Sequence, residues 1–244
     1  MTWSIIARDG PTGQFGVAVA TRFFAVGALV PHIAAGCGAI ATQALVNPYY
    51  GIDGLTLLRE GRRPREVVDT LIAADRGHSS RQLHVMDAAG RIAAHTGSEC
   101  VGWCGHIEDN GVSIAGNMLA GARVLDDTAR AYTDHKTLPF AQRLIAAMRA
   151  GEAAGGDKRG KQSAALLIHG DEEWSALDLR VDDHADPLAE LARLERVSRE
   201  HWVHFRQFLP SRNNPAGTTD RAAIDAGIAA SIAASLQAPT TGRR

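Results

Sequence analysis

The residues of this chain with the most chemistry to offer begin at Thr2. A small residue directly after Met1 permits removal of the initiator methionine. The new N-terminus then carries a hydroxyl nucleophile and a free α-amine on one residue. Such an amine has a reference pKa of about 7.7–8.0, so roughly a tenth or more is unprotonated near neutrality. A neighbouring cation or partial burial raises that fraction. Arg22 closes a strand that returns to the start of the chain and is the expected cation. Asn117 follows an apolar run over 112–116 and precedes Met118-Leu119, which reads as an exposed polar residue at a strand end. An amide N–H there would stabilise the oxyanion of an acyl intermediate, a contribution of about a hundredfold or more in rate. Satisfying local backbone groups is the alternative role. Gln43 and Asn47 carry neutral amides able to orient a substrate amide, although Asn47-Pro48 reads more simply as the start of a turn.

A second cluster is Gly155-Gly156-Asp157-Lys158-Arg159-Gly160-Lys161. Glycines at both ends let the backbone turn closely around a small ligand, and three bases surround one acid. Arg159 is expected to grip a carboxylate through two parallel hydrogen bonds, and Lys158 to add charge near the Thr2 amine. A solvated loop in which Asp157 pairs with a neighbouring base is the other reading. The Gly-x4-Gly-Lys-Ser/Thr spacing of a phosphate-binding loop is absent. His95, Cys100, Cys104 and His106 offer Cys-x3-Cys-x-His without a second clean pair, so no metal is expected. Cys37 is a rival nucleophile without a Cys–His signature. Asp182-Asp183-His184 lies between a strand and a helix and suits a turn that compensates a helix dipole.

Elements that would position these residues follow from pattern. Strands are expected over 2–7 and 15–21, joined through Asp9-Gly10-Pro11-Thr12-Gly13. Residues 23–52 hold no Lys, Arg, Asp or Glu, but Gly27, Pro31, Gly36, Gly38 and Pro48 interrupt them. Such punctuation suits buried strands over 29–35 and 38–44 better than a spanning helix of ~20 apolar residues. Helices are expected over 53–60 and 64–74, the latter with Pro at its first turn. Strands follow over 82–86, 91–95, 100–107 and 112–116, then helices over 125–133 and 139–150. A hairpin over 162–169 and 173–181 leads to a long helix from Asp186-Pro187 to near Leu209. Strand blocks separated by helix pairs argue for an α+β fold with antiparallel sheets covered by helices.

The charged residues nearly cancel, at a net charge of −1, and are well mixed, which argues against nucleic acid or an anionic membrane surface as partner. Three cysteines suit a reducing compartment, and no basic region followed by an apolar one opens the chain. A soluble cytoplasmic protein is expected. Residues 1–210 read as one domain. Residues 211–244 read as a polar linker and an Ala-rich helix or flexible tail that docks on its own domain or on a partner, with a homo-oligomer left open.

Taken together, Thr2-Trp3-Ser4-Ile5-Ile6-Ala7-Arg8-Asp9, Gly16-Val17-Ala18-Val19-Ala20, Ala25-Val26-Gly27, Ala41-Thr42-Gln43-Ala44, Gly116-Asn117-Met118-Leu119, Gly155 to Gly160 and Arg180-Val181-Asp182-Asp183-His184 carry a resemblance. Over residues 2 to about 200 the chain resembles domain of unknown function family 1028, grouped with the N-terminal-nucleophile (Ntn) hydrolases. The resemblance implies a four-layer αββα sandwich and amide-bond hydrolysis without a cofactor, and does not imply a substrate. The expected function is therefore hydrolysis of a small non-peptide amide or related C–N bond, with a small-molecule substrate that carries an anionic group. The alternative is a catalytically inactive ligand-binding or interaction protein on the same fold.

Overall fold

Strand β1 (Thr2–Arg8) is central in its sheet, and its first residue sets the register on both sides. It pairs antiparallel with β2 (Phe15–Thr21), where Thr2 meets Thr21. The turn between them is closed by Asp9, whose Oδ2 accepts from Thr12 Oγ1 at 2.5 Å, and by Gly13 at φ 71°. The computed structural model describes residues 2–237. After β2 come β3 (Pro31–Ala34), β4 (Gly38–Ala44), α1 (Tyr49–Arg59), α2 (Pro64–Ala74), β5 (Arg81–Asp87) and β6 (Ile92–Thr96). Next are β7 (Trp103–Asp109), β8 (Val112–Leu119), α3 (Arg123–Asp134), α4 (Phe140–Ala153), β9 (Ser163–His169), β10 (Ser175–Val181) and α5 (Pro187–Ser198).

Six strands form one sheet in the order β10-β9-β2-β1-β8-β7, and four form another in the order β3-β4-β5-β6. The strands within each sheet pair antiparallel. The sheets pack face to face, with α1 and α2 covering the small sheet and α3 and α4 the large one. This is the expected αββα sandwich. Both faces of each sheet are covered, so β1, β2 and β4 are buried almost throughout. Close helix approach needs a missing side chain at two places. A Cβ on Gly16 of β2 would lie 2.5 Å from Leu144 of α4, and one on Gly54 of α1 would lie 2.5 Å from Ile40 of β4.

Side chains alternate across a strand, so residues of one parity fill the layer between the sheets. At one end that layer is apolar, with Ile6, Phe15, Val17, Ile33 and Met86 in one cluster. At the other end the same parity brings Thr2, Ser4, Gln43, Gln82, His84 and Asn117, all buried. A second apolar cluster, including Ile40, Leu55, Val67 and Leu83, seals the small sheet against α1 and α2.

Several boundaries differ from the sequence reading. The strand expected over 29–35 shortens to β3, because Val26–Ala28 forms a 3-10 turn entered through Ala25 at φ 53°. Helix α1 begins at Tyr49, ahead of the expected 53, since Asn47 Oδ1 accepts the Tyr49 N–H at 3.1 Å and so opens the helix. The strand expected over 100–107 begins at Trp103, after Gly102 at φ 70°, and the one over 112–116 extends through Leu119. The long helix expected to reach 209 ends at Ser198, whose Oγ donates back to the Glu195 carbonyl at 2.7 Å. Tightened i to i+3 bonds from Arg199 and Glu200 follow, and Trp202–Phe205 forms a separate short helix, α6.

The chain divides into two compact units between Leu191 and Ala192, earlier than the expected 210. The sandwich belongs to the first. In the second, α7 (Arg221–Gln237) meets α6 through a 2.8 Å hydrogen bond between Ser231 Oγ and His204 Nδ1. The 211–219 stretch lies within this unit, and residues 238–244 fall outside the described residues. Among the described residues no helix is long and apolar enough to cross a membrane.

Candidate functional site

A cavity of about 490 Å³ opens where the polar end of the inter-sheet layer meets the surface. Its buried polar lining is Thr2, Thr21, Gln43 and Asn117, each less than a tenth exposed. These come from β1, β2, β4 and β8, so both sheets contribute. Thr2 lies opposite Thr21 on one side and Asn117 on the other. A 3.2 Å hydrogen bond joins Thr2 Oγ1 to Thr21 Oγ1, and Gln43 Nε2 donates to the Thr2 carbonyl at 3.5 Å.

Two backbone carbonyls set the hydrogen-bond directions around Thr2. Gln82 on β5 has no exposed surface, and its Nε2 lies 3.0 Å from the Gly105 carbonyl and 2.9 Å from the Gly116 carbonyl. Carbonyls only accept, so the amine end of Gln82 must face them and its Oε1 must face the other way. There it accepts from Gln43 Nε2 at 2.9 Å and from Asn117 Nδ2 at 3.0 Å. Gln43 is thereby turned so that its Oε1 accepts from Ser4 Oγ at 2.7 Å. Ser4, its proton committed, must accept from His84 Nε2 at 2.9 Å. His84 is therefore the Nε2–H tautomer, with Nδ1 accepting from Ser113 Oγ at 2.9 Å. Desolvation by burial, aided by His106, pulls the His84 pKa down to about 3, so the ring is neutral and one tautomer suffices.

Two residues beside these amides have left-handed backbone. Ala44 (φ 71°) follows Gln43, and Met118 (φ 54°) follows Asn117. For a residue with a Cβ that conformation costs on the order of 1–2 kcal/mol. Such strain persists where surrounding contacts over-determine it, commonly at functional sites. Both residues line the cavity.

The loop after α4 reaches the same place. Asp157 is buried and accepts from the Arg22 N–H at 2.9 Å, the Arg159 N–H at 2.8 Å and Arg159 Nη2 at 3.1 Å. It also bridges to Leu119 at the end of β8. Arg159, held by Asp157, lines the cavity. Lys158 is exposed, with its Nζ over Gly102, where a Cβ would lie 3.4 Å away. Arg22 contributes its backbone to the Asp157 cluster, while its exposed side chain lines a separate recess of about 200 Å³ with Lys161, Gln162 and His184. Asn117 is buried within β8, not exposed beyond a strand end as expected, because β8 continues through Leu119. Asn47 is occupied at the entry of α1, where its Nδ2 donates to Asp75 at 3.3 Å; its neighbour Val46 lines the cavity.

The structure thus gathers Thr2, Gln43, Asn117 and Arg159 around one space, with Asp157 behind Arg159. Sequence reasoning missed Thr21, Gln82, Ser4, His84 and Ser113. For Ser4 and Ser113 the signal was parity, since they share the strand face of Thr2 and Asn117, whereas Thr21, Gln82 and His84 lie on other strands and are brought alongside by sheet pairing and stacking. Cys100 lines the cavity, and its thiol is pushed up by burial and by Cys104, which keeps it protonated. Cys37 packs against the cluster under α1 and α2. His95 and His106 are engaged with the His78 carbonyl and Thr96. Among the described residues no group of three or more His, Cys, Asp or Glu is gathered to hold a metal.

A family model described as "Family of unknown function (DUF1028)" matches residues 2–191. The crystal structure of protein SPO2555 from Silicibacter pomeroyi, assigned to the same family model, is 32% identical with a TM-score of 0.84, covering 90% of this chain and 96% of that one. Anbu (ancestral beta-subunit) from Yersinia bercovieri is a remote likeness, 12% identical with a TM-score of 0.38 over 81% of this chain and 94% of that one. No curated protein matches the chain.

Proposed function

Because the chain belongs to the DUF1028 family, whose function is unknown, we propose a reaction from the site itself: hydrolysis of a small amide or related C–N bond by Thr2 once its α-amine is free. The observation that carries the reading is the Thr2 hydroxyl in a cavity whose flanking amides, Gln43 and Asn117, have their N–H groups turned by Gln82. The αββα order of layers, the same as that of the Ntn hydrolases the sequence resembles, supports it, as does the strain at Ala44 and Met118.

In this reading Thr2 Oγ1 attacks the substrate carbonyl carbon and its proton passes to the Thr2 amine. The carbonyl π electrons move to oxygen, where the second Nδ2 proton of Asn117 stabilises the negative charge. Collapse of the tetrahedral intermediate breaks the C–N bond, and the Thr2 ammonium protonates the departing nitrogen. Water then attacks the Thr2 ester, giving its proton to the amine. The acid leaves with the ester bond broken, and the Thr2 hydroxyl is restored. Arg159, oriented by Asp157, supplies the positive charge that shares the cavity with Thr2 and meets an anionic group of the substrate.

The test joins intact-mass analysis of the N-terminus to a panel of amides, ureides and lactams, run on wild type and Thr2→Ala. Protein lacking Met1 should turn over a panel member, and Thr2→Ala should lose roughly a thousandfold or more in rate. Unchanged activity in Thr2→Ala, or full activity with Met1 retained, overturns the assignment.

A further inference from the structure

We infer that the cavity selects an amide whose scissile bond is attached to a sizeable apolar chain or ring; the hydrolytic half of this statement rests on the function proposed above. The polar groups lining the cavity are unevenly distributed. Thr2, Thr21, Gln43 and Asn117 come together at its buried end. Much of the remaining lining is aliphatic, including Val26, Leu29, Val30, Leu45, Val46 and Met118. Phe23, Leu45 and Val101 line the cavity while 59%, 65% and 63% exposed, so the apolar surface continues to its mouth. Single exposed apolar residues are ordinary. Three converging on the mouth of a cavity whose interior is also apolar mark a ligand surface.

The charges near the cavity point the same way. Arg159 is matched by buried Asp157, and Glu99 adds a carboxylate held by Ser79 and Ser80 at 2.9 and 2.8 Å. Among the residues that line the cavity itself there is thus one cation, Arg159, and one anion, Glu99, leaving the apolar walls as the main source of affinity. Capacity follows from the volume. A cavity of about 150 Å³ holds a benzene, so 490 Å³ accommodates roughly fifteen to twenty non-hydrogen atoms. That is too large for a simple two- or three-carbon amide and suits one bearing a medium acyl chain or an aromatic acyl group.

The experiment uses Thr2→Ala, which binds without turnover, and a series of N-acylglycines with acyl chains of two, four, six, eight and ten carbons, measured by calorimetry. Affinity should rise about three- to fourfold per methylene until the cavity is filled. Phe23 and Leu45 are both exposed, so the fold tolerates their joint replacement by Ser. That double variant should weaken binding of the eight-carbon probe roughly fivefold more than that of the two-carbon probe. A flat series overturns the inference. So does equal loss on both probes, or a double variant whose only effect is to abolish self-association, which would assign the apolar mouth to a second copy of the chain. If the series rises in Thr2→Ala but wild type hydrolyses neither its members nor any member of the amide, ureide and lactam panel, the apolar ligand class stands and the hydrolytic reading falls. Turnover of short amides alongside a flat series has the opposite consequence.

Discussion

Replacing Gln82 by Glu tests the direction of the buried network with a change of one atom. The introduced carboxyl group keeps the oxygen that receives Gln43 and Asn117. At the other end it puts an oxygen where an NH2 had faced the carbonyls of Gly105 and Gly116 at 3.0 and 2.9 Å. When protonated, the new carboxyl has one proton for those two carbonyls, so one is left unsatisfied at a cost of about 1–3 kcal/mol. When ionised it has none, and the position has no exposed surface. Its folded pKa must therefore rise well above the unfolded value of about 4.3. A raised acid pKa leaves the folded state holding a proton that the unfolded state has released. Stability then falls by about 1.4 kcal/mol per pH unit above pH ~4.3, until the folded pKa is reached. The added loss at pH 7.5 is about 4 kcal/mol, for a total of about 5–7 kcal/mol, comparable with the whole stability of many domains. Urea unfolding of wild type and Q82E at pH 5.0 and 7.5 reads this directly. The variant should be folded at pH 5.0 and severely destabilised at pH 7.5. A destabilisation equal at the two pH values within about 0.5 kcal/mol would refute the derivation, since it would mean that Gln82 does not present its amine to the two carbonyls.

Other outcomes follow from the same geometry. His84 stays neutral in the fold to about pH 3 while the unfolded chain protonates near 6.5, so below pH 6.5 the unfolded state binds the extra proton and stability falls as pH falls. His84→Gln should remove a component of about 2 kcal/mol from the change in unfolding free energy between pH 7 and pH 5, and long-range ¹H–¹⁵N spectra of wild type should show protonated Nε2 and bare Nδ1. Ala44→Gly relieves a left-handed backbone at the cost of unfolded-state entropy, for a net gain of up to about 1 kcal/mol in thermal unfolding; a loss would show that Ala44 is not strained. Arg159→Ala should weaken an anionic ligand roughly tenfold more than its neutral analogue, and equal losses in calorimetry would make the loop structural.

Much of the scaffold is legible because its signals are local. Asp9-Gly10-Pro11-Thr12-Gly13 forces a turn, Pro64 starts a helix, and Asp109-Asn110-Gly111 closes a hairpin whose strands pair as β7 and β8. The start of α1 is hidden, since Tyr49-Tyr50-Gly51 has weak helix propensity and Asn47-Pro48 resembles a plain turn until Asn47 is seen capping Tyr49. The break after Ser198 is hidden for the opposite reason, because Leu188, Leu191, Leu194 and Val197 keep a helical stripe that runs on to it. The candidate site is harder still. Gln82 and His84 alternate with Leu83 and Val85, a pattern that suggests a sheet face in water. Only the stacking of a second sheet reveals that this face is buried. Thr2, Gln43, Asn117 and Arg159 can each be singled out by chemistry, but the hub that orients two of them has no signature in its own segment.

The central place of β1 also fixes when in folding the site can exist. Its pairing with β2 closes a short loop, from Thr2 to Thr21, whereas its pairing with β8 must wait for residue 117 to return to residue 2. The longer closure costs about 1.6 kcal/mol more in chain entropy, and contacts of such separation form late on the folding route. A growing or refolding chain therefore acquires the hairpin first and holds Thr2 beside Thr21 with nothing opposite. Asn117, and the Gly116 carbonyl that helps orient Gln82, arrive only when β8 docks. The hydroxyl is thus in place before its oriented surroundings, which wait for the more distant pairing of β1 with β8.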